Sequence, residues 1–260
     1  IVVRLLERQG IAIVAGIPGG AILPIYDALG QSARIRHVLA RHEQGAGFMA
    51  QGMARVSGQP AVCLASSGPG ATNLLTAIAD AKLDSIPLVA ITGQVSRAMI
   101  GTDAFQEVDT YGLSIPITKH NFLVSSTEEL LTVIPQAFRI AASGRPGPVL
   151  VDIPKDVQSR AIEVDAWPEP GGALPVAPAP GELIAQAAVM INAAERPILY
   201  LGGGVVHANA AGLAIDLAEK ANLPTVMTLM ALGTMPVDHE LSLGMLGMHA
   251  ARFTNLALDE

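Results

Sequence analysis

One cysteine, Cys63, stands in 260 residues. A lone thiol excludes a disulfide framework within the chain and a cysteine-based zinc site, and it suits a reducing, cytoplasmic setting. Aromatic residues are scarce at 3%, with five Phe, three Tyr and one Trp, so little is available to stack nucleic-acid bases. Charge is sparse too: 15% of residues, with 16 Lys and Arg against 23 Asp and Glu and a net charge of −7. No clustered basic footprint is present, and nucleic acid is not an expected partner. Nor is a membrane. The longest uncharged run lies between Arg55 and Asp80 and is broken by Gly58, Pro60, Gly68, Pro69 and Gly70. A spanning helix needs ~20 mostly apolar residues without such breaks. No basic leader with a cleavage site opens the chain. It starts at Ile1 rather than Met and stops at Glu260 in a helical-looking stretch, as a trimmed or incomplete chain would.

What the sequence has in quantity is small and aliphatic residues. Half of it is hydrophobic, enough for a sizeable core, and its length allows one large domain or two ordinary ones at ~150 residues each. Short apolar runs alternate with amphipathic segments. Strands are expected at 11–17, 35–39, 60–65, 86–92 and 148–153. Helices are expected from Gly19-Gly20 to about Leu29 and at 43–56, 70–81 and 128–142. Strands alternating with helices predict an α/β fold with a parallel sheet buried on both faces. From Trp167 to Pro180 the chain is rich in Pro and Gly, which reads as a linker over 166–181 between a first domain, 1–165, and a second unit, 182–260. The second unit also begins as α/β: helix 182–194, strand 197–201, helix 209–221 and strand 224–229. About 80 residues is short for a complete doubly wound domain.

Several local patterns test and fail common signatures. Gly202-Gly203-Gly204 follows a strand, but His207 occupies the third glycine position of G-x-G-x-x-G and no acid follows near 222–226. His42-Glu43 opens like H-E-x-x-H, but Ala46 closes it, so no zincin site forms. No G-x-x-x-x-G-K-S/T occurs. Ser66-Ser67-Gly68-Pro69-Gly70, between strand and helix, suits either a tight turn with an N-cap or an anion seat on helix amides. Glu43 is the most informative acid. It opens a helix of small uncharged residues, where it is either a first-turn acid favoured by the dipole or a carboxylate able to share a proton with a bound base.

Five segments acquire meaning together. Ile17-Pro18-Gly19-Gly20, Arg41-His42-Glu43-Gln44-Gly45-Ala46, Ser67-Gly68-Pro69-Gly70-Ala71-Thr72-Asn73, Gly101-Thr102-Asp103-Ala104-Phe105-Gln106-Glu107 and Ser143-Gly144-Arg145-Pro146-Gly147-Pro148 stand in the order found in acetolactate (acetohydroxyacid) synthase large subunits. The chain resembles that family throughout, including Leu243-Gly244-Met245-Leu246-Gly247-Met248-His249. It lies nearest the bacterial isozyme I branch over 41–60 and 100–120.

The resemblance implies an enzyme that decarboxylates pyruvate on thiamine diphosphate and passes the hydroxyethyl group to a second 2-keto acid, pyruvate or 2-ketobutyrate, in branched-chain amino-acid synthesis. It assigns 1–165 to the pyrimidine-binding domain and 182–260 to the start of a central FAD-associated domain. It implies that Glu43 hydrogen-bonds the pyrimidine, with Pro18, Gly19, Pro69 and Asn73 beside the cofactor. Gly20 is implied beside the reacting carbon, Phe105 and Gln106 at the acceptor site, and Lys155 in the substrate channel. Arg145, Gly202, Gly203 and His249 are implied FAD contacts. Mg²⁺ is implied as well, but the G-D-G motif that holds it is not in this sequence, so no metal ligand is expected here and the chain alone is expected to be inactive. A homodimer or homotetramer, with a small regulatory subunit, completes the picture. Ser96 and Ala250 depart from the usual Pro and Gly. Glyoxylate carboligase is an alternative, against which Glu43 counts; a non-catalytic binding or assembly module is another.

Overall fold

The apolar runs become the strands of two parallel sheets in the structure, a computed structural model that describes residues 1–259; Glu260 lies outside the described residues. The first unit runs from α1 (Val2–Arg8) through β1 (Ile13–Gly16), α2 (Leu23–Gly30), β2 (Arg36–Leu39), α3 (Glu43–Ser57), β3 (Ala61–Ala65), α4 (Pro69–Leu83) and β4 (Leu88–Gln94). It continues with α5 (Thr110–Ser114), β5 (His120–Leu123), α6 (Leu130–Ala142), β6 (Pro148–Pro154) and α7 (Lys155–Ser159). Its six strands lie in the order β2-β1-β3-β4-β6-β5, every neighbouring pair parallel.

Period two divides the sheet between two cores. Val62, Leu64, Val89, Ile91, Val149 and Val151 pack on one face with residues of α1, α2 and α6. Ala61, Cys63, Ala65, Leu88, Ala90 and Leu150 pack on the other with α3 and α4. Central strands covered on both faces read as unbroken apolar runs, which is why β3, β4 and β6 were visible in the sequence.

Small residues set the spacing of α3 and α4. A Cβ on Gly47 would stand 2.5 Å from the Cβ of Ala77, so only glycine admits this approach. Buried Gln51 adds a 2.7 Å hydrogen bond from Nε2 to the carbonyl of Ala77. Helix α3 starts where His42 caps it, its Nδ1 accepting from the Gln44 N–H at 3.1 Å, and stops at Gly58, whose φ of +68° favours glycine.

Two expectations shift. The helix after β1 begins at Leu23 rather than at Gly19-Gly20, because 17–22 form a turn and Pro24 sits in the first helical turn. Within the stretch read as a linker, 167–174 lie on the first unit. Trp167 packs against its core, Arg8 Nε donates to the Pro168 carbonyl at 3.2 Å, and the Leu174 N–H donates to Ser143 Oγ at 2.9 Å. A Cβ on Gly171 would overlap the Pro135 carbonyl. The chain divides into compact units between Val176 and Ala177.

The second unit comprises α8 (Gly181–Ala193), β7 (Leu199–Leu201), α9 (Gly203–His207), α10 (Ala211–Ala221), β8 (Thr225–Met227), β9 (Ser242–Met245) and α11 (Arg252–Asp259). Its parallel sheet is β7-β8-β9, with Leu201, Ala218, Met227, Ala231 and Met235 as core. Helix α8 buries none of its side chains. Among the described residues, no helix is long and apolar enough to cross a membrane.

Candidate functional site

Within the sheet the chain leaves β1 for β2 on one side of β1 and later builds β3 on the other side. The carboxyl ends of β1 and β3 therefore flank a switch point, where open α/β sheets place ligands. The turn after β1 carries Pro18, Gly19 and Gly20. Gly19 lies directly on Ser66, just beyond β3, where a Cβ would stand 2.5 Å from the serine Cβ. Ser66 Oγ accepts from the Ala21 N–H at 3.3 Å. From β4, Gly93 makes room for the Ala21 carbonyl, and from α7 Gln158 donates to that carbonyl at 2.8 Å. The turn is thus fixed by elements at the ends of three other strands. Gly20 differs: a Cβ there would meet nothing within 4 Å, so no protein atom requires glycine.

Glu43 is the first residue of α3 and is half-buried. Its Oε2 accepts from Asn73 Nδ2 at 2.9 Å. Its Oε1 accepts from no protein donor among the described residues and lies 3.4 Å from where a Cβ on Gly70 would stand. The carboxylate therefore faces the N-terminal turns of both α3 and α4, whose dipoles favour an anion there. Gly68 caps α4 with φ +55°, and Pro69 is its first residue, where a missing N–H costs no helical hydrogen bond.

A loop after β4 closes the rim. The Glu107 carboxylate accepts from the backbone N–H groups of Gly101, Thr102 and Ala104, which hold it below the usual carboxylate range. Gln106, at φ +59°, lays its backbone on Gly68, where a Cβ would stand 2.7 Å from the Gln106 carbonyl oxygen. Phe105 is 87% exposed beside it. Lys155 is exposed at the start of α7, beyond the carboxyl end of β6.

Pro18, Gly19, Gly20, Glu43, Pro69, Asn73, Phe105, Gln106 and Lys155 thus all lie at the carboxyl edge of one sheet. Asn73, expected beside a cofactor, turns its amide to Glu43. Arg145 is not brought to this edge. Its Nε donates to Ser85 Oγ at 2.7 Å and its Nη2 to the Leu83 carbonyl at 3.2 Å, at the far end of α4. A helix of 15 residues puts about 22 Å between its ends. Gly202, Gly203 and His249 belong to the second unit. Gly202 and Gly203 join β7 to α9, a Cβ on Gly203 would stand 3.0 Å from the Met230 Cβ, and His249 is exposed.

Sequence reasoning did not find three polar groups in the first unit. Tyr26 Oη is buried without a hydrogen-bond partner, and burial, then Cys63, then Glu43 raise its pKa, so it stays a neutral phenol. His37 meets the Tyr26 ring edge-on at 5.0 Å, has a buried and unpartnered Nε2, and is lowered in pKa by desolvation. Asp152 is fully buried in β6. Its one signal in the sequence is an acid inside an apolar strand. Cys63 is buried, which pushes its thiol up to about 12 and leaves it no nucleophilic role. Among the described residues, no three His, Cys, Asp or Glu side chains are grouped to hold a metal ion.

Residues 1–113 match the family described as thiamine pyrophosphate enzyme, N-terminal TPP binding domain, and 184–260 match thiamine pyrophosphate enzyme, central domain. The chain is 66% identical over 259 residues to the acetolactate synthase isozyme 1 large subunit of Escherichia coli, covering 100% of this chain and 46% of that protein. It is 53% identical over 251 residues to the acetolactate synthase large subunit of Corynebacterium glutamicum, 95% of this chain and 40% of that one. The probable acetolactate synthase large subunit of Methanocaldococcus jannaschii is 47% identical over 264 residues, 100% and 44%. The chain spans about half the length of the curated relatives it matches.

Proposed function

The chain belongs to the thiamine pyrophosphate enzymes, and from that premise we propose that it is the pyrimidine-gripping part of an acetolactate synthase. Glu43 carries the reading. One carboxylate oxygen is fixed by Asn73, and the other is left without a protein donor at the switch point. Such an oxygen can accept a hydrogen bond from a protonated ring nitrogen and share its proton. The cradle fits a flat heteroaromatic ring: Gly19 lets its turn close on Ser66, Gly68 lets the Gln106 backbone close on the turn before α4, and Gly20 leaves open space where a side chain would stand.

When bound, thiamine diphosphate supplies an electron sink that lets a 2-keto acid lose CO₂ and add to a second 2-keto acid. In this proposal Glu43 sets the protonation of the pyrimidine. Phe105 and Gln106 line the approach of the acceptor, pyruvate or 2-ketobutyrate. Lys155 draws anionic substrates to the rim by its charge. Pro18 and Pro69 stiffen the two turns. FAD and Mg²⁺ enter through the family resemblance alone. Arg145 already spends its guanidinium on Ser85 and Leu83, and the other three FAD candidates lie in the second unit. No step is derived through either group. A second copy of the chain is the proposed cover for exposed Phe48 and Met49 on α3.

The test supplies the full-length enzyme with thiamine diphosphate, Mg²⁺, FAD and pyruvate, with and without 2-ketobutyrate. Accumulation of 2-acetolactate, and of 2-aceto-2-hydroxybutyrate in the mixture, is expected. Consumption of pyruvate without carboligation would overturn the reading.

A further inference from the structure

We propose that Asp152 is a positioning residue that, through the side chain of Gln94, holds the Gly101–Asp109 loop in place over Gly68. What that loop does for the acceptor rests on the function proposed above; how it is held does not.

Asp152 is the one charged residue of β6, where Pro148, Val149, Leu150, Val151, Ile153 and Pro154 are all buried. Register pairs it with Thr92 of β4, also fully buried. A buried carboxylate costs stability unless its oxygens are hydrogen-bonded, and a valine would pack here without that cost. Both oxygens are used. Thr92 Oγ1 donates to Oδ1 at 2.6 Å, and Gln94 Nε2 donates to Oδ2 at 2.9 Å.

Gln94 connects this pair to the site. The same Nε2 donates to the Val108 carbonyl at 3.0 Å, and Gln94 Oε1 accepts the Val95 N–H at 2.8 Å. The amide is therefore fixed on three sides. An ionised carboxylate only accepts hydrogen bonds, so it compels the NH₂ end of Gln94 to face it. Only in that orientation does the amide also present a donor to Val108. A flipped amide would set oxygen against the Val108 carbonyl. That carbonyl also accepts the Thr110 N–H at 2.8 Å, which starts α5. Two residues before Val108, the Gln106 backbone rests on Gly68. The rest of the loop is closed on itself by Glu107. Gln94 is thus its side-chain tie to the sheet at Val108, and Asp152 fixes which way that tie points. Asp109, the N-cap of α5, is the charged group that acts on Asp152, while Thr92 and Gln94 are neutral.

The experiment uses the full-length enzyme as wild type, Asp152→Ala, Asp152→Asn and Gln94→Met. Amide hydrogen exchange is followed over 101–110 and over β4 and β6. Product partition between pyruvate and 2-ketobutyrate acceptors is measured in parallel. Asp152→Ala and Gln94→Met are expected to speed exchange of the loop by about tenfold, the scale of one lost buried hydrogen bond, while β4 and β6 stay protected. Both should shift the acceptor partition severalfold. Asp152→Asn keeps an oxygen for Gln94 and should restore most of the loop protection, and Gln94→Met, which fills nearly the space of glutamine without its amide, separates loss of these hydrogen bonds from loss of volume. Should Asp152→Ala not fold, Gln94→Met, in which Asp152 keeps Thr92, gives the same readout. Unchanged loop exchange in a folded variant overturns the proposal. A wild type that forms no acetolactate overturns the functional reading instead, and the exchange result still decides the positioning.

Discussion

Asn73 donates from Nδ2 to Oε2 of Glu43 over 2.9 Å, tying the second turn of α4 to the first residue of α3. The bond leaves Glu43 with one engaged oxygen and one oxygen without a protein donor among the described residues. It also explains why a polar side chain points out of a helix that otherwise packs through alanine, leucine and isoleucine.

The first expectation concerns that free oxygen. Glu43→Gln in the full-length enzyme should lower carboligation by about 10²–10⁴-fold, the range for a lost proton-transfer group. Its amide keeps the shape and can still accept from Asn73, so the circular dichroism spectrum and thermal midpoint should hold. Near-normal turnover would remove Glu43 from the chemistry.

Asn73→Ala should act through Glu43. It removes the hydrogen bond but not the carboxylate, so a loss of about tenfold is expected, the size of one hydrogen bond to a charged group. The double variant should be little worse than Glu43→Gln alone, because residues that act as a unit are not additive. Steady-state rates of the four proteins in the cycle decide this. Multiplying losses would mean that Asn73 acts independently.

Two glycines should separate stability from activity. Gly68 has φ +55° and Gln106 backbone within 3.0 Å of a would-be Cβ. Gly68→Ala should cost about 2–4 kcal/mol from the left-handed backbone and the overlap, lowering the thermal midpoint by several degrees. Gly20→Ala meets open space and should leave the midpoint within about 2 °C, as surface substitutions do. Carboligation should nonetheless fall in Gly20→Ala, because the proposed function puts the reacting carbon in that space. Full activity in that variant would place the reacting carbon elsewhere.

How much of this was legible beforehand follows from what each residue needs. The strands β3, β4 and β6 are buried on both faces, so their apolar runs announced them. Edge strand β5 was missed because His120 and Leu123 are exposed and its pattern resembles a loop. Helix α1, seven residues long, has no capping side chain and no acid in its first turn to mark its start. The turns bearing Gly19 and Gly68 were located by their glycines and by family likeness, but not their contact with one another, which depends on Ser66 and on strand order. Glu43 and Asn73 lie 30 residues apart, and Asp152 lies 58 and 60 from Gln94 and Thr92. The first pairing is set by how α3 packs on α4 and the others by sheet register, and no local pattern encodes either.

Asp152 gives the last expectation, in pH rather than rate. Burial raises its carboxyl from 3.8 to about 6, against hydrogen bonds from Thr92 and Gln94 that act the other way. A group whose folded pKa is raised contributes stability that is complete below its unfolded pKa and is lost as pH climbs through its folded pKa. Between about pH 4 and pH 7 wild type should therefore lose about 2.4 kcal/mol relative to a variant that cannot ionise there. The carboxyls of Glu7 and Glu129, held low by Ser32 and by Ser125, have the opposite sign. They lose stability as pH falls, so wild type alone would show a blurred sum. Asp152→Asn isolates one group, since everything else titrates alike in both proteins. The thermal midpoint of the variant minus that of wild type should rise by about 5–10 °C from pH 4 to pH 7, at 2–4 °C per kcal/mol, and stay flat above. A difference that does not change with pH would mean that the carboxyl of Asp152 titrates alike in the folded and unfolded chains, as it would if solvent reached the interior of β6.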